Sequence, residues 1–177
     1  MTTTPDLTGP VGTAAAVVVR DAEAADAGAL YRLSAAFAAD GCLLPRAEHD
    51  FADRIGEFLV ALRAGEVVGC AGLTEVDDAL VVYNLCVAAP AQGGGIGRRL
   101  IAAATLRGHR LGRRRLVAAS RTSGHWFLRQ GFQEMDPRHT PAPLAALVPP
   151  GRGSLLYCRG LYSPLTSRHS PAIHARS

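Results

Sequence analysis

The chain has 177 residues, 48% of them hydrophobic, and a formal charge of +4; its Lys+Arg count of 19 is arginine throughout, with no lysine. That length and apolar content fit one domain with a full core and leave no room for two of ordinary size. The missing lysine excludes a Walker-type phosphate lysine, a Schiff-base lysine and a lysine general base.

Residues 1–13 are rich in Thr, Pro and Gly and residues 163–177 in Ser, Pro, His and Arg, so both are expected to be loose tails around a domain at 14–162. The apolar run Ala14 to Val19 ends at Arg20 and Asp21. It is too short for a signal-peptide core or a membrane span, and a cytoplasmic protein is expected. Val17 to Val19 reads as a first strand, and Leu30, Leu33 and Phe37 fall on one side of a helix that Gly41 ends. Phe51, Ile55 and Phe58 predict a second short helix, followed by a strand from Phe58 to Arg63, a turn at Ala64-Gly65-Glu66 and a strand from Val67 to Leu73.

Asp77-Asp78 makes the next turn, and the continuous apolar run Leu80 to Val87 reads as a buried central strand. A helix opens near Ile96, with Ile96, Leu100, Ala103, Ala104 and Leu111 along one side, and stops at Gly112. Then follow a strand from Arg115 to Ala119, a short helix from His125 to Gln130, and a strand from Phe132 to Met135. An irregular proline-rich stretch from Pro137 to Gly153 leads to a last strand from Ser154 to Arg159. This order predicts an α+β domain with a mixed sheet.

Between Asp78 and Glu134 no acidic residue interrupts Arg98, Arg99, Arg107, Arg110, Arg113, Arg114, Arg115, Arg121 and Arg129. Such a stretch serves a solvated helix face, an anionic cofactor or nucleic acid. Nucleic acid is disfavoured, because no aromatic residue interleaves with the arginines from Ile96 to Ala119. Cys42, Cys70, Cys86 and Cys158 are widely spaced with no C-x-x-C pair, which points to free thiols in a reducing compartment and to no metal site.

The segment Gln92-Gly93-Gly94-Gly95-Ile96-Gly97 joins the central strand to the long helix. A strand turning through glycines into a helix leaves backbone N–H groups aimed at one point, where a phosphate can sit. A dinucleotide fingerprint fails, since Arg98 or Leu100 stands where its third glycine belongs. The remaining pattern, Gln-x-x-Gly-x-Gly between an antiparallel strand and a helix, resembles the acyl-CoA loop of the GNAT superfamily of N-acetyltransferases. The resemblance extends through Val67 to Leu73, Leu85 to Val87, Gln92 to Leu100 and Gly131-Phe132, covering roughly residues 17–135.

That resemblance implies a mostly antiparallel mixed sheet flanked by helices, with acetyl-CoA as co-substrate. It implies that Leu85, Cys86, Val87, Gln92, Gly93, Gly94, Gly95, Ile96, Gly97 and Arg98 hold coenzyme A, with the Val87 amide as oxyanion donor. Leu43-Leu44-Pro45-Arg46, Arg121 to Phe127, and Arg152-Gly153-Ser154 further resemble the acetyltransferase domain of bacterial N-acetylglutamate synthases. The implied acceptor is glutamate, in the first step of arginine biosynthesis, with Arg46, Arg152 and Ser154 on its carboxylates. Those synthases usually carry an amino-acid-kinase domain as well, so a free-standing transferase domain is expected.

Val81 stands where the family usually has a carboxylate base, and Phe127 replaces its frequent tyrosine acid. Ser120 is the aligned hydroxyl for the leaving thiolate. Glu75, Asp77 and Asp78 could serve as base only through water, His125 is a candidate replacement, and Cys86 is a poor nucleophile with no base beside it. These departures keep two other readings open: a resistance or detoxification transferase for another small amine, and a non-catalytic acyl-CoA-binding module. The expected partner is a small-molecule amine, with neither nucleic acid nor membrane, and self-association stays open.

Overall fold

The computed structural model of the chain describes residues 15–149 and 151–161, so the two expected tails lie outside the described residues. Among the described residues seven strands form one sheet in the order β1-β2-β3-β4-β5-β7-β6. They are β1 (Val17–Asp21), β2 (Phe58–Arg63), β3 (Glu66–Val76), β4 (Ala79–Val87), β5 (Arg115–Ser120), β6 (Gln133–Glu134) and β7 (Leu155–Gly160). All pairs are antiparallel except β4 with β5. The helices are α1 (Ala27–Ala39), α2 (Glu48–Asp53), α3 (Ile96–Arg110), α4 (Gly124–Arg129) and the one-turn α5 (Ala142–Ala145).

Both sheet faces are covered, which explains why the central strands read as continuous apolar runs. On one face Leu59, Leu73, Leu80 and Val82 meet Leu100, Ile101 and Ala104 of α3, with Phe127 and Phe132 in the same cluster. The other face is divided. Phe51, Phe58, Val60 and Leu30 form one cluster under α1 and α2, and Val81, Val117, Leu144 and Leu156 form another under α5.

The sheet is irregular where it matters for function. β3 and β4 are in register from Val76↔Ala79 to Gly72↔Tyr83, and resume at Cys70↔Cys86, so β4 carries one residue more than β3 across the gap. The extra residue is taken up at Asn84, whose φ is +51°, a left-handed conformation that a bulge can accommodate. The bulge inverts the side-chain alternation. Tyr83 belongs with the α1 cluster and Asn84 turns to the same face to donate to Ser34 Oγ at 2.7 Å, while Leu85 and Val87 join the α3 cluster. Pairing between β4 and β5 ends at Val82↔Ala118, five residues before β4 does. An open wedge is left beside Tyr83–Val87.

Three expectations are corrected. Leu111 is 39% exposed at the end of α3, and Gly108 and Ile101 take the buried positions instead. The strand expected over Phe132 to Met135 is only Gln133–Glu134, because Phe132 turns into the core. The proline-rich stretch contains α5, placed by Leu144, which is 1% exposed.

Helix α1 is tied to β1 by Arg20, whose guanidinium donates to Asp26 Oδ2 at 2.7 Å and Oδ1 at 3.1 Å; Asp26 also accepts the Glu23 amide at 2.8 Å. The Arg20 hydrogen bond, more than any other cause, holds the Asp26 carboxyl below its ordinary pKa. A depressed folded-state pKa gives stability that is present above the unfolded value of about 3.9 and is lost as pH falls through the folded value. Replacing Asp26 with Ala is expected to cost about 2 kcal/mol at neutral pH. Denaturant melts should show the variant and parent converging below about pH 4. Among the described residues no helix is long and apolar enough to cross a membrane.

Candidate active site

The glycine segment closes the end of β4 onto α3. After Val87 a 3-10 turn at Ala89–Ala91 buries Ala91, and the Gln92 side chain reaches back to donate to Val87 O at 2.9 Å. Each glycine then has its own reason. Gly93 and Gly95 have φ of +77° and +76°, with Gly95 as the N-cap of α3, a conformation that favours glycine strongly. A Cβ on Gly94 would sit 3.4 Å from the Arg63 guanidinium, and one on Gly97 would sit 2.9 Å from the Trp126 ring. Gly97 therefore serves helix packing, whereas the other three shape the cradle.

The first helical hydrogen bond runs from the Arg99 amide to Gly95 O at 3.1 Å, which leaves the N–H groups ahead of it without intrahelical acceptors. Ile96, 1% exposed, pins that helix end into the core. These free amides lie at the positive end of a 15-residue helix, an arrangement that favours an anion. Arg98 lies beside them on the first turn, and Arg63 reaches them from the end of β2.

On the edge facing β3, Ala88 N–H donates to Val68 O at 2.9 Å. Successive strand peptides point to opposite edges, so the Val87 amide faces away from β3 into the wedge. Leu85 shares that edge, and Cys86 faces the core. The Cys86 thiol is 4% exposed and lies 3.5 Å from Cys70 Sγ. That hydrogen bond, and then burial, push its pKa far up, so it is no nucleophile. Ser120 ends β5 on the opposite side. Its Oγ accepts the Ser123 amide at 2.9 Å, an arrangement that leaves its own proton free to be donated.

The loop from Gly41 to Arg46, between α1 and α2, brings the acceptor-side residues together. Arg46 stacks on Tyr83 with its guanidinium carbon 4.9 Å from the ring centroid. Tyr83 in turn donates to Glu57 Oε2 at 2.6 Å, and burial with this bond raises its pKa. A cavity of about 280 Å³, lined by Tyr31, Ser34, Leu44 and Pro45, adjoins Arg46. Arg152 donates to the carbonyls of Gly41 and Cys42 at 3.4 and 3.5 Å, on the loop that carries Arg46. Ser154 directly precedes β7, two residues on.

The acids considered as bases are placed elsewhere. Glu75 pairs with Arg113 at 2.8 Å and Asp78 pairs with Arg115, both at the β3–β4 turn. Asp77 occupies that turn with φ +50°. Val81 is 3% exposed beneath Leu144, and His125 is exposed on α4. Phe127 is buried, stacked on Tyr157 with centroids 5.8 Å apart, and Trp126 covers Gly97. The His-Trp-Phe segment thus braces α4 against α3 and touches no acceptor-side residue named above. Sequence reading missed Arg63, Tyr83 and Asn84 as site residues, since their placement depends on strand pairing and the bulge. Among the described residues no group of three His, Cys, Asp or Glu side chains could hold a metal ion.

A glycine phosphate cradle, a splayed parallel strand pair and a bulged β4 define the chain as an acyl-CoA-dependent transferase of the GNAT class. Residues 54–134 match the acetyltransferase (GNAT) domain model. An uncharacterized N-acetyltransferase of Chlorobaculum tepidum is 30% identical over 129 residues, covering 72% of this chain and 83% of the relative. The amino-acid acetyltransferase of Pseudomonas putida is 28% identical over 146 residues, which is 81% of this chain but 34% of that protein. Among solved structures, N-acetylglutamate synthase from Neisseria gonorrhoeae, complexed with coenzyme A and N-acetyl-glutamate, matches with a TM-score of 0.79 and 30% identity. The match covers 84% of this chain and 36% of the synthase, so the chain spans about a third of the length of such relatives. The chain belongs to the GNAT family of N-acetyltransferases. That membership supports N-acyl transfer as the activity.

Proposed function

We propose that this enzyme transfers the acetyl group of acetyl-CoA to the α-amino group of an amino acid, with glutamate as the acceptor, the first step of arginine biosynthesis. The observation that carries this is that Arg152 donates to carbonyls of the loop that also bears Arg46, while Arg46 stacks on Tyr83 of β4. Neither Arg46 nor Arg152 has a carboxylate within 4.0 Å among the described residues. Guanidinium forks left without acids suit a substrate that brings its own.

Acetyl-CoA supplies an activated thioester, and the residues of the chain hold and polarise it. The amides of Gly93 to Gly97, with Arg63 and Arg98, receive phosphate; Gln92 fixes the loop; Leu85 and Cys86 shape the strand edge that receives the pantetheine arm. The Val87 N–H donates to the carbonyl oxygen as negative charge grows there. The neutral amine forms the C–N bond as the C–S bond breaks; Ser120 O–H protonates the departing sulfur and regains a proton, through water, from the nitrogen as it becomes the neutral amide. Arg46, Arg152 and Ser154 orient the acceptor carboxylates.

With Val81 buried under Leu144, no side chain on β4 takes the ammonium proton, and water in the open wedge carries it. General base catalysis contributes about 10²–10⁴-fold, so turnover is expected to be slow and to rise with pH as more free amine is present. The same feature favours a second acceptor class, a less basic small amine that needs no base. Both readings are tested by following thiol release with acetyl-CoA and a panel of amino acids and small amines. Turnover of glutamate well above neutral amino acids is the expected result; activity confined to other amines supports the second reading and overturns the first.

A further inference from the structure

A second arginine converges on the same point as Arg152. Arg121, the first residue after β5, donates to Gly41 O at 3.1 Å, and Arg152 donates to that same oxygen at 3.4 Å. Gly41 ends α1 with φ +68°, and a Cβ there would come within 3.2 Å of the Arg121 guanidinium. Two guanidinium groups from separate loops therefore share one neutral carbonyl. Neither has an acidic partner within 4.0 Å among the described residues.

This arrangement is electrostatically incomplete. Each guanidinium presents five N–H donors in a fixed fork, of which Arg121 and Arg152 each direct one nitrogen to backbone carbonyls, Gly41 O for both and Cys42 O also for Arg152. Two like charges drawn together around a neutral oxygen favour an anion in its place, because a carboxylate has two oxygens and the charge to offset both. The position is also specific. Arg121 follows Ser120 directly, so the pair flanks the wedge where acetyl transfer takes place, while Arg46 stands across the loop on Tyr83.

We propose that Arg121 and Arg152 together form a two-guanidinium subsite for the side-chain carboxylate of the acceptor, and that Arg121 thereby sets the preference for a dicarboxylic amino acid. Arg46 is then left to the α-carboxylate. The subsite rests on the amino-acid transferase reading above and adds a residue and a division of roles. On binding, the substrate carboxylate displaces Gly41 O from both forks, so the loop from Gly41 to Arg46 exchanges an internal contact for the substrate.

The test compares kcat/KM for glutamate and glutamine, which differ in the charge of one end, in the parent, Arg121→Ala, Arg121→Lys and Arg152→Ala. In the parent, glutamate is expected to exceed glutamine by at least about 100-fold, the range of a charged pair of hydrogen bonds. Arg121→Ala should lower that ratio at least about tenfold, through KM for glutamate with kcat and glutamine kinetics little changed. Arg121→Lys, which keeps the charge and loses the fork, should fall between. Acetyl-CoA affinity measured by calorimetry confirms that each variant is folded. If Arg121→Ala raised KM for glutamate and glutamine equally, or left their ratio unchanged, Arg121 would only strap the loop and the subsite would be wrong. A parent that acetylates neutral amines but no acidic amino acid would overturn the acceptor reading and the subsite with it.

Discussion

Replacing Gly95 with valine is expected to abolish acetyl-CoA binding while leaving the fold in place. Gly95 has φ +76°, and a β-branched residue forced into that region costs about 1–2 kcal/mol or more. Its α3 N-cap position has nothing closer than Arg98, at 3.8 Å, to an added Cβ. The added side chain would therefore occupy ligand space and would not collide with the core. Loss of two charge-assisted amide contacts, at about 1.5–3 kcal/mol each, corresponds to at least about a 100-fold rise in Kd. Calorimetry with coenzyme A checks the affinity, and a thermal melt without ligand checks the fold. Gly95→Ala should be intermediate. A valine variant binding coenzyme A within about threefold of the parent would move the phosphate away from this loop.

The phosphate cradle is legible in the amino-acid sequence. The glycine segment, the apolar run of β4 and the helix after it are local signals, and the fold class follows from their order. The bulge is not legible there. Asn84 carries a positive φ with no glycine to announce it, and its effect, placing Tyr83 and Asn84 on one face, depends on how β4 pairs with β3. The meeting of Arg121 with Arg152, and of Arg63 with Gly94, joins loops far apart in the chain. Nothing in its neighbours distinguishes Arg63 from a solvated arginine, and the segments that mark Arg121 and Arg152 do not tell that the two meet. Leu144 is a third case: proline-rich surroundings hide a single helical turn whose one leucine seals Val81.

The His-Trp-Phe segment, which in the sequence only carries the resemblance, serves packing in the fold. Its tryptophan closes over Gly97 at the start of α3, and Gly124 lies so near Tyr157 that an added Cβ would collide with the hydroxyl. The segment still bears on function, because α4 sets both ends of the wedge. Trp126 braces the helix whose N-terminus forms the cradle, and the turn into α4 holds Ser120 through the Ser123 amide.

Phe127→Ala should accordingly be the most destabilising single change in this region. The ring is 4% exposed, stacks on Tyr157 at an interplanar angle of 14°, and meets Trp126 and Phe132 edge-on with centroids 5.0 and 5.3 Å away. Truncating such a side chain costs about 3–5 kcal/mol, a drop in Tm of about 6–20 °C for a domain of this size. Phe127→Leu keeps most of the volume and should lose less than half as much. Acetyl-CoA, by binding only the native form, should recover part of the loss. Phe127→Tyr separates packing from chemistry. Since the ring packs among Trp126, Phe132 and Tyr157, an added hydroxyl must enter that buried cluster, and kcat should stay within about twofold of the parent while Tm falls. A gain of tenfold or more in kcat would instead put this position at the reacting sulfur and displace Ser120 from that role.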